Sequence, residues 1–348
     1  MIAPRLEIDL DKIYHNAQTL VSRLGERGIS VTAVTKAALG SPEIANAWLQ
    51  AGVSGLGDSR IENLSTLRRS NVAASMTLIR SPMLSQVDQV VALADISCNT
   101  ERDVIRGLSF AAQKANRSHG IVLMVELGDL REGIMPDLLD QTVQEVLNLP
   151  HIIFQGIGTN LACRSGVSPD SRNMAELSSI ADRIDASHGG IVRIVSGGNS
   201  ANLDWALSGA DPGRINNLRL GEALLLGREP LHRRAIKGLH TDAITLIAEV
   251  IESKQKPSQA WGEIAQSAFG VVVPGDDNGS ITQSIFAIGR QDVDPDGLDP
   301  PMGISILAAS SDHVIVDSNH YHERLVIGSE IPFQLNYSAL LRAMTSPY

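Results

Sequence analysis

Aromatic side chains make up only 3% of this chain, and no block of lysine or arginine interrupts its net charge of −10. Both features exclude nucleic-acid binding, which needs a clustered positive surface and often stacking rings. Only two cysteines occur, Cys98 and Cys163, and they form no Cys-x-x-Cys pair. That excludes a disulfide framework and fits a reduced, cytoplasmic setting. No window approaches the roughly 18 uninterrupted apolar residues of a membrane span. The opening Met1-Ile2-Ala3-Pro4-Arg5-Leu6-Glu7 has no long apolar segment and suggests no export.

What is present is apolar bulk. Hydrophobic residues are 43% of 348, enough for one large α/β unit and a smaller one. Strand-like segments fall at 30–35, 55–57, 75–79, 94–97, 120–126, 152–158, 191–196 and 216–220. Helix-like segments lie around and between them, at 11–26, 41–51, 59–69, 84–92, 100–117, 136–147, 170–187 and 200–208. Such alternation predicts a parallel sheet with crossover helices, and eight repeats fit a closed (β/α)₈ TIM-type barrel. Beyond His240 the texture changes. Segments 241–252, 281–289, 303–309, 313–317 and 323–327 are rich in β-branched residues. Turn signals separate them, including Pro274-Gly275-Asp276-Asp277-Asn278-Gly279. The expected architecture is an α/β barrel over 10–236 followed by a mostly antiparallel β domain over 237–348.

In such a barrel the chemistry gathers just past the strand ends. Lys36 closes the first strand, in Ser30-Val31-Thr32-Ala33-Val34-Thr35-Lys36. Burial there would desolvate its amine, lower its pKa and free a nucleophile for Schiff-base chemistry. For Lys36 alone, a strand-end lysine reaching back to water is the plainer reading; the rest of the chain reverses it. After the seventh strand comes Ser196-Gly197-Gly198-Asn199-Ser200, a loop of free amides and hydroxyls leading into a helix. This is an anion site at a helix N-terminus, compatible with Asn199 or Ser200 also acting as the cap. Lysine and phosphate cradle together imply pyridoxal 5′-phosphate. Arg219, on the eighth strand, is placed to partner the ring nitrogen. Arginine cannot give up its proton, so the ring would stay a weak electron sink, suited to brief proton removal at Cα.

At these residues the chain resembles the alanine racemase superfamily of fold-type III pyridoxal phosphate enzymes, most of all its ornithine racemase-like branch. The resemblance rests on Glu7-Ile8-Asp9-Leu10-Asp11, Ala33-Val34-Thr35-Lys36, Asn199-Ser200-Ala201 and Arg219-Leu220-Gly221-Glu222-Ala223. Gly57-Asp58-Ser59-Arg60-Ile61-Glu62-Asn63-Leu64 and Met344-Thr345-Ser346-Pro347-Tyr348 resemble the branch more narrowly. What the resemblance implies is a head-to-tail homodimer, with strand 4–9 joining the C-terminal domain. It also implies a cofactor held by Asn160, Ser196, Gly198, Asn199, Ser200, Arg219, Gly221 and a phosphate-binding Tyr337. The departures from alanine racemase are specific. Trp261-Gly262-Glu263-Ile264-Ala265-Gln266-Ser267-Ala268-Phe269-Gly270 lacks the catalytic tyrosine of the β domain. Ala37-Ala38-Leu39-Gly40 lacks the tyrosine after the lysine. Asn160 stands where a histidine is usual, and Met124 where some members modify a lysine with carbon dioxide.

The expected reaction is racemisation of a free basic amino acid, ornithine first, then lysine or arginine. Lys36 would serve one face of Cα and Ser267, activated by a neighbour, the other. Arg131 would orient the substrate carboxylate or a cofactor oxygen. A distal ammonium needs a carboxylate. The barrel offers Glu126, Asp129 and Glu132; the β domain offers Asp312 and the favoured Asp292 and Asp294. A basic amino-acid decarboxylase and a non-catalytic cofactor carrier are the alternatives. No metal is expected: His320-Tyr321-His322 has no third ligand beside it.

Overall fold

The computed structural model describes residues 2–270 and 277–347, so the first half of the turn expected at 274–279, and Tyr348, lie outside the described residues. In chain order the strands begin with β1 (Arg5–Ile8), β2 (Ser30–Val34), β3 (Gly55–Asp58), β4 (Met76–Leu78) and β5 (Ile96–Asn99). Then come β6 (His119–Met124), β7 (Ile152–Gly158), β8 (Ile194–Ser196), β9 (Asn217–Leu220) and β10 (Ile244–Pro257). The last are β11 (Ser280–Phe286), β12 (Leu298–Asp299), β13 (Ser305–Ala309), β14 (Val314–Asp317) and β15 (Glu330–Leu335). The chain divides into two compact units, Leu10–Thr241 and the remainder on either side of it.

The first unit is the barrel. Strands β2 to β9 pair in parallel, in chain order, and β9 closes on β2. All eight expected strands form. They do so because they are buried on both faces: every residue of β6 is buried. Gly156 fixes one irregularity. Its φ is +147°, and a Cβ there would lie 1.9 Å from the Ile194 carbonyl oxygen, so only glycine passes where β7 slips register against β6. The outer layer is amphipathic. Helix Leu10–Gly25 places Ile13, Ala17, Leu20 and Leu24 on one face, each fully buried. Burying a large aliphatic side chain contributes roughly 1.5–3 kcal/mol, so Leu20→Ala is a change that would loosen this helix. Asp170 starts helix Ser171–His188 with a reciprocal cap to Asn173. The barrel unit runs past the expected end at 236, because the buried Asn16 side chain bonds both the amide and the carbonyl of His240, at 2.7 and 2.9 Å. No helix among the described residues is long and apolar enough to cross a membrane.

The second unit is an antiparallel sheet in the order β12-β15-β10-β11-β14-β13, with β1 also on β10. Long β10 serves both halves, pairing β15 and β1 early and β11 late, with a register shift between Val250 and Glu252. Phe286 and Phe333 meet edge to face at its centre, 5.1 Å apart. The strand expected at 323–327 is not one. Val326 and Ile327 are exposed and unpaired, and the strand forms at Glu330–Leu335 instead. Pro332 argues against a strand there in sequence. It is tolerated because β12 pairs only Gln334 and Leu335, leaving Pro332 beyond its reach. Helices Glu222–Leu226 and Tyr337–Thr345 were not expected from the sequence pattern.

Candidate active site on the barrel rim

Lys36 opens a one-turn 3₁₀ helix, Lys36–Ala38, directly after β2, and is half-buried. The preceding residue fixes its place. Thr35 is fully buried, and its hydroxyl donates to Asp58 Oδ2 at 2.6 Å. Asp58, also fully buried, accepts the Arg60 amide at 2.8 Å and the Asn63 side-chain amide at 3.1 Å. Burial pushes the Asp58 carboxyl up, and these hydrogen bonds act against that push. Asp58 therefore ties the lysine turn to the start of helix Ile61–Arg69. In the sequence the only local mark of this role is an acid just before a helix start.

The loop after β8 is equally constrained. Gly198 has a φ of +144°, and a Cβ there would fall 2.1 Å from Asn202 Oδ1. That oxygen accepts the Asn199 amide at 3.0 Å, while Asn199 Oδ1 accepts the Ala201 amide at 2.8 Å. The cap and the cradle are thus the same loop. Buried Ser200 turns its hydroxyl to the amides of Gly221 and Ala223, at 3.4 and 3.3 Å. One hydroxyl and two amides converge there, which suits an anionic oxygen.

Arg219 is buried at 7% exposure. It donates to Ser196 Oγ at 2.5 Å and to the Thr159 carbonyl at 2.8 Å, and Ser196 passes its own proton to Asn217 Oδ1. Those partners are neutral. Burial lowers the guanidinium pKa, and nearby Arg131 lowers it further. Asn160 accepts from the Asn199 side chain at 3.1 Å, while its own Nδ2 is buried without a partner. A buried amide donor left open on a rim that also carries a hydroxyl–amide cradle and a lysine fits the oxygens of a phosphorylated aldehyde cofactor. Met124, in the place of a modifiable lysine, packs instead with Cys98 and Val122.

Several expected substrate residues are committed elsewhere. Glu126 accepts the amides of Gly128 and Leu130, at 2.6 and 3.0 Å, and shapes its own loop. Asp129 is fully buried and accepts the amides of Cys163, Arg164 and Ser165, clasping the loops after β6 and β7. Arg131 grips Glu132 through two nitrogens, and that bond chiefly raises its pKa. The pair leaves Arg131 less free to orient a substrate than the sequence suggested. Glu222, not among the residues expected from sequence, is a further rim carboxylate. Burial pushes it up, its bond to Arg233 and the charge of Lys36 pull it down, and no signal but its place after Gly221 marked it.

In the β unit the expected residues do not gather. Asp292 accepts from the Gly289 amide at 3.0 Å and from Ser346 at 3.2 Å. Asp294 caps the turn Pro295–Gly297 and accepts from the Ser338 hydroxyl. Together they hold the two ends of helix Tyr337–Thr345, whose first residue is the expected phosphate ligand Tyr337. Asp312 is exposed and paired with His313 at 2.8 Å, which lowers its pKa. Ser267 lies on an exposed turn, its hydroxyl donating to the Gly270 carbonyl at 2.8 Å. A carbonyl cannot take a proton, so that bond does not activate Ser267 as a base. Among the described residues Asp204, Glu229 and His232 cluster closely enough for a cation. Arg234 already fills that role, bonded to both acids.

Known proteins resemble this chain over its whole length. An ornithine racemase of Acetoanaerobium sticklandii is 39% identical over 99% of this chain and 98% of its own. A lysine racemase of Thermotoga maritima is 36% identical over 100% of this chain and 98% of its own. Among solved structures, an alanine racemase from E. faecalis superposes with a TM-score of 0.73 at 20% identity, covering 99% of this chain and 96% of that one. The profile described as "Alanine racemase, N-terminal domain" matches residues 8–229. With the lysine, the cradle and the arginine set on one rim of an eight-stranded barrel, the chain belongs to the alanine racemase N-terminal domain family.

Proposed function

We propose that this protein is a pyridoxal 5′-phosphate-dependent racemase of a free basic amino acid, ornithine first and lysine next. The observation that carries the reading is the order of residues along one rim: Lys36 after β2, Asn160 after β7, Ser200 after β8 and Arg219 in β9. The substrate class follows the full-length similarity to ornithine and lysine racemases. When bound, the cofactor supplies the electron sink that makes the substrate Cα–H acidic. Lys36 Nζ would hold the cofactor and would carry the Cα proton on one face. Ser200 and the amides of Gly221 and Ala223 would hold the phosphate, joined by Tyr337 of a partner subunit. Arg219 keeps its proton and so would offer the ring nitrogen a hydrogen bond without protonating it. Asn160 offers its open N–H to an oxygen of the cofactor. Inversion requires a second proton carrier on the other face.

We further infer a head-to-tail homodimer in the cytoplasm, each rim completed by the partner. The test has two parts. Borohydride treatment followed by peptide mapping should find the cofactor on Lys36; an adduct on another lysine overturns the site. A racemisation panel in deuterated water should show ornithine and lysine exchanging faster than alanine and serine; the reverse order overturns the substrate class. Mixing the inactive variants Lys36→Ala and Tyr337→Phe should restore part of the activity if the two residues come from different subunits.

A further inference from the structure

Beneath the rim, the first halves of the barrel strands enclose a second cavity of about 310 Å³. It lies at the N-terminal end of the strands, away from Lys36. Its mouth is ringed by the exposed Ser30, Ser54, Ser75 and Arg193, and its inner end by the buried Cys98, Ser196 and Arg219. Two arginines line it and no carboxylate does. The Arg193 guanidinium makes no ion pair with a described residue, and the hydrogen-bond partners of Arg219 are neutral oxygens. The remaining polar lining is biased towards donation. Asn217 Nδ2 donates to Thr32 Oγ1 at 3.0 Å, which leaves the Thr32 hydroxyl proton to point elsewhere. Thr77 also lines the cavity, and its hydroxyl bonds no described residue.

A lumen with two cations, spare hydroxyl protons and no acid of its own is matched to an anion that only accepts hydrogen bonds. Water would satisfy the hydroxyls, but it would not balance the buried charge of Arg219, to which the exposed Arg193 adds at the mouth. A neutral polyol would leave both guanidinium charges without a counter-ion. We propose that this cavity is a binding site for a small inorganic oxyanion of the phosphate or sulfate class, entered past Arg193 and ending against Arg219. The site is separate from the Ser200 cradle and does not rest on the assignment of the racemase reaction. An anion there sits on the opposite side of Arg219 from the rim, so it also offsets the field that this arginine projects towards the reacting end of the barrel.

The test uses the cofactor-loaded full chain, so that the rim cradle is already filled. Thermal unfolding is followed as inorganic phosphate is titrated, against sodium chloride at matched ionic strength. Binding to the folded state raises the midpoint in a saturable way. Arg193→Gln, at an exposed position without an ion pair, should weaken the apparent phosphate affinity about tenfold through loss of a charge-assisted contact. Thr77→Val, nearly isosteric, should weaken it less. In crystals grown with selenate, an anomalous peak should lie between Arg193 and Arg219. The proposal is overturned if chloride at equal ionic strength gives the same rise, if both variants respond like the parent, or if selenate is found only elsewhere.

Discussion

The two units treat their charged residues in opposite ways. In the barrel, Lys36, Ser200 and Arg219 stand at strand ends whose spacing is set by the parallel ladder, and residues far apart in sequence share one rim. In the β unit, Asp292 and Asp294 are spent on the ends of one helix, and Ser267 on a turn. The lesson is that a closed parallel barrel gives each strand end a fixed address. An antiparallel sheet joined by long loops gives none, and its polar side chains are consumed in holding those loops.

The contrast breaks first at Lys36. Lys36→Ala should lower racemisation by about 10³-fold, the usual scale for removing a proton-transferring group. Steady-state racemisation followed by circular dichroism measures it, and a loss under tenfold would remove Lys36 from the chemistry.

A second effect concerns the barrel wall. His119 is buried against Ser97 at 2.7 Å, and burial pushes its pKa down to about 4. The unfolded chain takes up the proton near its ordinary value of about 6.5, whereas the folded chain does not until near the lower value. Stability is therefore full above the unfolded value and falls as pH drops towards the folded one. Between pH 7 and pH 5 the loss from this group should be about 2 kcal/mol by urea unfolding. His119→Gln should flatten that dependence; an unchanged slope would assign it to other groups.

Smaller again is the loop clasp. Asp129→Asn weakens a carboxylate that holds three amides, and should cost about 1–2 kcal/mol. Faster proteolysis within 160–166 would report the loosened loop, and an unchanged cleavage rate would mean the loops hold without it. The smallest effect is expected at Ser267. Ser267→Ala removes an exposed turn bond and should change stability by no more than about 0.5 kcal/mol. If it instead abolished exchange at Cα while leaving the fold intact, the β unit would carry a fixed chemical address after all.

Much of this was legible in the sequence. Strand positions followed from buried apolar runs, and the rim residues followed from reading one step past each run. The strand at Glu330–Leu335 was hidden by Pro332, because sequence cannot show that the neighbouring strand ends before reaching it. Asp58 was hidden because its side-chain partners, Thr35 and Asn63, come from different segments, the turn after β2 and helix Ile61–Arg69. The acids of the loop after β6 looked available because a carboxylate reads the same whether it faces solvent or three backbone amides.

By itself, then, the sequence determined the barrel and the family. Hydrophobic periodicity and strand-end position are local properties, and both are written in the residues. Only the tertiary structure decided which charged groups remain available. That depends on where the orphan amides of each loop point, and on which cations, such as Arg219 at the inner end of the lower cavity, bond only neutral oxygens among the described residues.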